Sequence, residues 1–139
     1  MKLKHLFTVA IAALAISVPA FAEEDTPLGK EMEKAGKAMK AIGKACKDGK
    51  VTKDLASKVD DIKAAFEASA KLEPAKTADV PAAEKAKFVA DYKAAMEKSI
   101  KELDALKAAV EAEKTDEVAK ILEKLNAGKK QGHKAFKKD

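Results

Sequence analysis

Residues 26–50 read TPLGKEMEKAGKAMKAIGKACKDGK, and the spacing of their apolar residues decides the fold. Leu28, Met32, Ala35, Met39 and Ile42 recur at steps of 4-3-4-3, the seam that a helix presents to neighbouring helices. Thr26-Pro27 supplies an N-cap and a first-turn proline. Asp48-Gly49-Lys50 supplies the stop. Between them, Glu31/Lys34 sit at i,i+3, as expected of a solvated outer face.

The same grammar repeats down the chain. Val51, Leu55, Val59, Ile62 and Phe66 share one side of a second helix that ends at Glu73-Pro74. Pro81 opens a long third helix with Phe88, Tyr92, Met96, Ile100 or Leu103, Leu106 and Val110 as its stripe. Thr115-Asp116 marks a turn and a new N-terminus. The fourth helix carries Val118, Ile121, Leu122, Leu125 and, later, Phe136. No segment alternates with the period of a strand. Brief links force antiparallel neighbours, so the expected fold is all-α, an antiparallel up-down-up-down four-helix bundle. Many of its inward positions are Ala or Gly, which makes the core thin.

Residues 1–22 read as an address. Lys2 and Lys4 precede the apolar run Leu6–Val18, and Pro19 and Ala20-Phe21-Ala22 form an Ala-x-Ala cleavage signal. The run falls short of the roughly 20 residues that span a bilayer. We therefore expect a cleaved export signal, a mature start at Glu23, a periplasmic destination and no membrane insertion after cleavage. Residues 23–139 then form one domain, in keeping with a total length of 139 residues.

Composition excludes several functions. All 28 basic residues are Lys, so guanidinium forks for phosphate or carboxylate are absent. Cleavage leaves 26 lysines against 23 acids, a net charge of +3, which with export argues against a nucleic-acid partner. One cysteine excludes an internal disulfide and any multi-thiolate zinc site. There is no phosphate-binding glycine loop, no His-Glu-x-x-His pair and no calcium loop. A di-iron bundle needs Glu-x-x-His on two helices, and cleavage removes His5, leaving only His133. Cys46 lies at the opposite end of the bundle from His133, so the two do not form a nucleophilic pair.

His133 lies eleven residues beyond Leu122, about 20° away around the helix, and so falls with the apolar stripe. In an antiparallel bundle, the end of helix 4 stands beside the start of helix 1, where Met32 occupies its stripe. Both side chains fall roughly 8–9 Å from the same end. A thioether and an imidazole placed this way are the ligand pair of an electron-transfer haem iron. A core methionine and a structural histidine are the alternative. Gly36, Gly128 and Gly132 each cost about 1 kcal/mol relative to Ala in a helix interior and would make room for a flat ligand. Phe88, Tyr92, Ile62, Phe66 and Ser69 come to the same end.

Leu-Gly-Lys-Glu-Met-Glu at 28–33 and Leu-Asn-Ala-Gly-Lys-Lys-Gln-Gly-His-Lys-Ala-Phe at 125–136 resemble the first and last helices of the cytochrome b562 family. Val-Asp-Asp-Ile-Lys-Ala-Ala at 59–65 and Pro74 fall into register with it, and the resemblance covers nearly all of the mature chain. It implies one non-covalent b-type haem, with Met32 and His133 as axial iron ligands and Phe88 and Tyr92 as an aromatic pair of the pocket. Lys129 stands where the family has an arginine, four residues before the histidine, and would meet a haem propionate as a point charge. Gly132 replaces an aromatic residue. The helix 1–2 and 3–4 hairpins are each longer than the family's by about one helical turn. The related cytochromes c′ carry Cys-x-x-Cys-His where this chain has Lys129, Lys130, Gln131, Gly132 and His133, so covalent attachment is excluded.

The implied function is a monomeric periplasmic electron-transfer protein, not an enzyme, that exchanges electrons with periplasmic redox partner proteins. Lys129, Lys134, Lys137 and Lys138 would surround the haem end, either as an ordinary solvated helix end or to steer an acidic partner. Two other readings stay open: a haem-free exported bundle with a binding or structural role, and a five-coordinate haem protein if Met32 does not reach the iron.

Overall fold

The computed structural model describes residues 25–138, and the expected export signal lies outside them. Four helices and no strand occur among the described residues: α1 (Pro27–Lys47), α2 (Ala56–Ala70), α3 (Lys85–Glu111) and α4 (Thr115–Phe136). They form an antiparallel four-helix bundle. Packing is close along the α1–α2, α2–α3 and α3–α4 seams and slight along α1–α4.

Helix ends follow the local chemistry. The Thr26 hydroxyl accepts from the Gly29 N–H at 3.0 Å, with Pro27 in the first turn; such a cap contributes about 1 kcal/mol. At the other end of α1, Lys50 N–H donates to the Ala45 carbonyl and Gly49 N–H to that of Cys46, with Gly49 at φ +64°. This is the two-bond glycine cap that satisfies the last carbonyls. The α3 end repeats it: Lys114 N–H donates to Ala109 and Glu113 N–H to Val110, but the left-handed residue is Glu113 at φ +56°.

The link from α2 to α3 is longer than expected. The second helix starts at Ala56, after a 3₁₀ turn at Lys53–Leu55, and Val51 is a buried loop residue. After Pro74 another 3₁₀ turn spans Ala75–Asp79, and α3 begins only at Lys85. Proline fixes its own φ but does not continue a helix by itself.

The core gathers at one end. Ile42, Val59, Ile62, Leu103, Leu106, Val110 and Val118 are the largest fully buried apolar side chains. All belong to the halves of the helices nearest the α1–α2 and α3–α4 hairpins, except that Ile62 lies near the middle. On α3 the stripe runs through Leu103, with Ile100 half-buried. On α1 it runs through Ala35, Ala38 and Ile42, with Leu28, Met32 and Met39 half-buried.

Charged pairs set the α2–α3 register. Lys63 Nζ lies 2.7 Å from Asp104, and Lys107 Nζ 2.9 Å from Asp60. The acid precedes the base by three residues on both helices, so a three-residue slip would put like charges opposite. Each exposed pair contributes little on its own. No described helix is long and apolar enough to cross a membrane.

Candidate functional site

Three contacts fix which ends of the helices meet. Cys46 Sγ lies 3.6 Å from the Thr115 carbonyl oxygen, tying the end of α1 to the start of α4. The Phe136 ring packs edge-on against both Phe88 and Tyr92, with centroids 5.4 Å apart in each case. The Tyr92 hydroxyl donates to the Ser69 carbonyl at 2.8 Å. The end of α4, the start of α3 and the end of α2 therefore converge.

From the Cys46–Thr115 contact, Met32 is 14 residues back along α1 and His133 is 18 residues on along α4. At 1.5 Å per residue these are about 21 and about 27 Å toward the same end. Glu31, Lys34 and Ala38 line the groove that α1 makes with α2. Met32, Gly36, Met39, Gly43 and Cys46 lie on the opposite flank of α1, the one that Cys46 turns to α4. A thioether is thus carried on the α1 face toward α4, within about one helical turn of the level where α4 carries an imidazole.

The five residues singled out in the sequence are placed unequally. Tyr92 is buried, Phe88 and Met32 are half-buried, and His133 and Lys129 are exposed. His133 does not sink with the apolar stripe as its angle suggests. Beyond Leu125 that stripe is continued by Lys129 and Gly132 rather than by apolar side chains, and the α1–α4 seam beside it is the loosest of the four. Helical phase says which way a residue faces, not what covers it.

Phe136 is the contact that sequence reading undervalued. Its place three turns beyond Leu125 marks it only as late core, yet it is the ring that closes α4 onto α3. The Ser69 carbonyl gives no sequence signal at all, being a backbone acceptor. Burial pushes the Tyr92 phenol up to about 12, so it stays a donor throughout the physiological range.

The glycines show how a flat group would fit. A Cβ built on Gly36, Gly128 or Gly132 would meet nothing within 4 Å. No protein atom there demands glycine, and the backbone lies open to a close approach. A thioether and an imidazole on adjacent antiparallel helices, an aromatic wall of Phe88, Tyr92 and Phe136, and the cation of Lys129 suit a planar apolar macrocycle with a metal centre and acidic side groups. No cluster of three or more His, Cys, Asp or Glu able to hold a bare metal ion occurs among the described residues.

Comparison with curated proteins and with solved structures finds no match. The family model described as cytochrome b562 matches residues 27–137. That span runs from the first residue of α1 to one residue past α4. Carrying this match over most of its length on a four-helix bundle, the chain belongs to the cytochrome b562 family of haem-binding electron-transfer proteins.

Proposed function

We propose that this protein is a periplasmic electron carrier holding one non-covalent haem b between Met32 and His133. What supports the reading is that counting along the helices from the Cys46–Thr115 contact carries both donors, on adjacent antiparallel helices, toward the end of the bundle where the core is thinnest. Bound haem supplies a one-electron iron couple. The Met32 thioether and the His133 imidazole would hold the iron from two sides, leaving no open position for a substrate and so no catalytic role. Phe88 and Tyr92 would wall the ring, and Tyr92 is itself held by its bond to Ser69. Lys129 would meet a propionate. Attachment is non-covalent because no second cysteine accompanies Cys46. The carrier acts as a monomer after removal of residues 1–22, with Glu23 as its first residue.

Haem titration of the purified protein, followed in the visible spectrum, tests this. A Soret band and a low-spin, six-coordinate reduced form are expected, and acid-acetone should extract all the pigment. Met32→Ala should leave a high-spin haem. His133→Ala should lose most of the affinity, since imidazole is the stronger donor to ferric iron. Met39→Ala and Met96→Ala should stay low-spin. The absence of a Soret band after haem addition would leave the haem-free bundle as the better reading. A high-spin form from Met39→Ala but not from Met32→Ala would overturn the ligand assignment.

A further inference from the structure

The last three-fifths of α4 and the residues after it carry charge of one sign. From Lys124 to Lys138 there are six lysines and no acid, whereas residues 115–123 hold Asp116, Glu117 and Glu123 against Lys120. Lys129, Lys130, Lys134 and Lys137 are all exposed. Lys138 reaches Asp79 at 3.1 Å, but among the described residues none of the other four lies in an ion pair. Elsewhere lysines are often answered by an acid one helical turn away, as in Lys34–Glu31, Lys37–Glu33 and Lys87–Asp91.

A helix macrodipole favours cations at its C-terminus, but its effect fades within the last turn. It accounts for Lys134 and Lys137, not for Lys129 and Lys130 two turns from the end. Lys129 and Lys130 call for a second reason. At 100° per residue, Lys129 and Lys137 lie about 40° to either side of His133, Lys130 about 60° away and Lys134 about 100° away. His133 is itself exposed. The positive field therefore surrounds the surface point where one iron ligand meets solvent.

We infer that this face of α4 is the docking surface for a redox partner that presents an acidic patch. The inference rests on the haem reading above. An acidic surface seated on Lys130, Lys134 and Lys137 would be brought against the His133 edge, so one electron could pass over a short path with no proton moving. Complementary charge of this kind raises the encounter rate and fixes orientation more than it raises affinity. Lys129 is assigned above to a haem propionate, which leaves the other three for the partner.

The test compares two triple variants of the haem-loaded protein with equal charge change. Lys130→Glu/Lys134→Glu/Lys137→Glu alters the proposed face. Lys53→Glu/Lys58→Glu/Lys120→Glu alters exposed lysines at the hairpin end, near helix N-termini where acids are tolerated. Stopped-flow oxidation of the ferrous protein by ferricyanide, an anion, and by hexaammineruthenium(III), a cation, reads the local field. At low salt the first triple should slow ferricyanide by about tenfold or more and speed the cation, and salt should erase both effects. The second triple should change little. Equal effects from both triples would mean that net charge alone matters, and would overturn the inference. If the glutamate triple does not fold, the glutamine triple should show the same directions at smaller size.

Titration of the ¹⁵N-labelled protein with deca-glutamate gives a second readout, independent of electron transfer. Amide shifts should concentrate at residues 129–137; shifts spread evenly, or binding to phosphatidylglycerol vesicles without binding to the peptide, would overturn an acidic protein as the occupant. Failure of haem uptake would sink the haem reading and the redox role together. A normal holoprotein with no preference for the anionic oxidant would sink this inference alone.

Discussion

The two ends of this bundle are built on different plans. At the hairpin end, Ile42, Val59, Leu103, Leu106, Val110 and Val118 are fully buried, and two helices finish in the same double-bonded cap. At the other end Met32, Phe66, Phe88 and Phe136 are only half-buried, His133 is exposed, and glycines stand where side chains could pack. A buried side chain of the first kind contributes about 1.5–3 kcal/mol. The stability of the fold is therefore concentrated at one end. The other end, tied by Phe136 against Phe88 and Tyr92 and by Tyr92 to Ser69, carries less of the load and can leave donors and open backbone at its surface.

The sharpest test crosses one substitution from each end. Leu103→Ala removes a fully buried side chain from the core and should cost about 2–5 kcal/mol of stability. Its haem affinity, measured where the variant is still folded, should hold. His133→Ala removes an exposed side chain and should cost the haem-free protein much less stability than Leu103→Ala does, while most haem affinity goes. Urea denaturation with and without haem measures both. If His133→Ala destabilised the haem-free protein as much as Leu103→Ala, the division of labour between the ends would be wrong.

Legibility followed the same division. Thr26-Pro27 and Gly49 announce helix ends through their own chemistry, and Val118, Leu122 and Leu125 form a stripe with no rival phase. Packing partners were harder to read. Ala38 is buried and Met39 half-buried, though both lie near the seam, because α1 meets α2 across small residues such as Ala64 and Ala65. Leu103 rather than Ile100 enters the core for a similar reason, the choice being made by neighbours. At the functional end, sequence could bring Met32 and His133 to one level but could not show that His133 is exposed. That depends on the loosely packed α1–α4 seam, which no single helix encodes.

Tyr92 is a buried polar tie at the end where α2, α3 and α4 converge, and alkaline pH should break it. Its phenol ionises near 10 when exposed and is raised to about 12 here. Below pH 10 both folded and unfolded chains hold the proton, and the group adds no pH dependence. Between 10 and 12 the unfolded chain loses its proton first, so stability should fall by about 1.4 kcal/mol per pH unit from this group. The raised ammoniums of Lys63 and Lys107, each held by its carboxylate partner, add losses over a similar range. Tyr92→Phe separates the contributions. It should cost about 1 kcal/mol at pH 8, where the bond to Ser69 is lost, and flatten the alkaline fall. An unchanged alkaline slope would assign the whole loss to the lysines.

The two hairpin caps offer a smaller comparison within the stable end. Gly49 and Glu113 occupy the same left-handed position, but only glycine does so without a side-chain penalty. Glu113→Gly should therefore stabilise the protein, by about 1 kcal/mol. Gly49→Ala should destabilise it by a similar amount, although a Cβ there meets nothing within 4 Å, because the strain lies in the backbone. Thermal unfolding of the two variants should shift in opposite directions.

The smallest effect separates the two ends most cleanly, because it uses one helix and one face. Gly36 and Gly43 lie seven residues apart on the α1 flank turned to α4, and a Cβ at either would meet nothing within 4 Å. Neither has a positive φ. In the haem-free protein both Gly36→Ala and Gly43→Ala should therefore stabilise the helix, by up to about 1 kcal/mol each. With haem the pair should part. Gly43 lies beside the filled core, so its alanine should keep both the gain in stability and the affinity. Gly36 lies one turn from Met32, where a flat ring would approach the backbone, so its alanine should gain stability while losing haem affinity. Equal affinities for the two variants would mean that the ring does not rest against α1 at Gly36, and that the open backbone there has no part in the site.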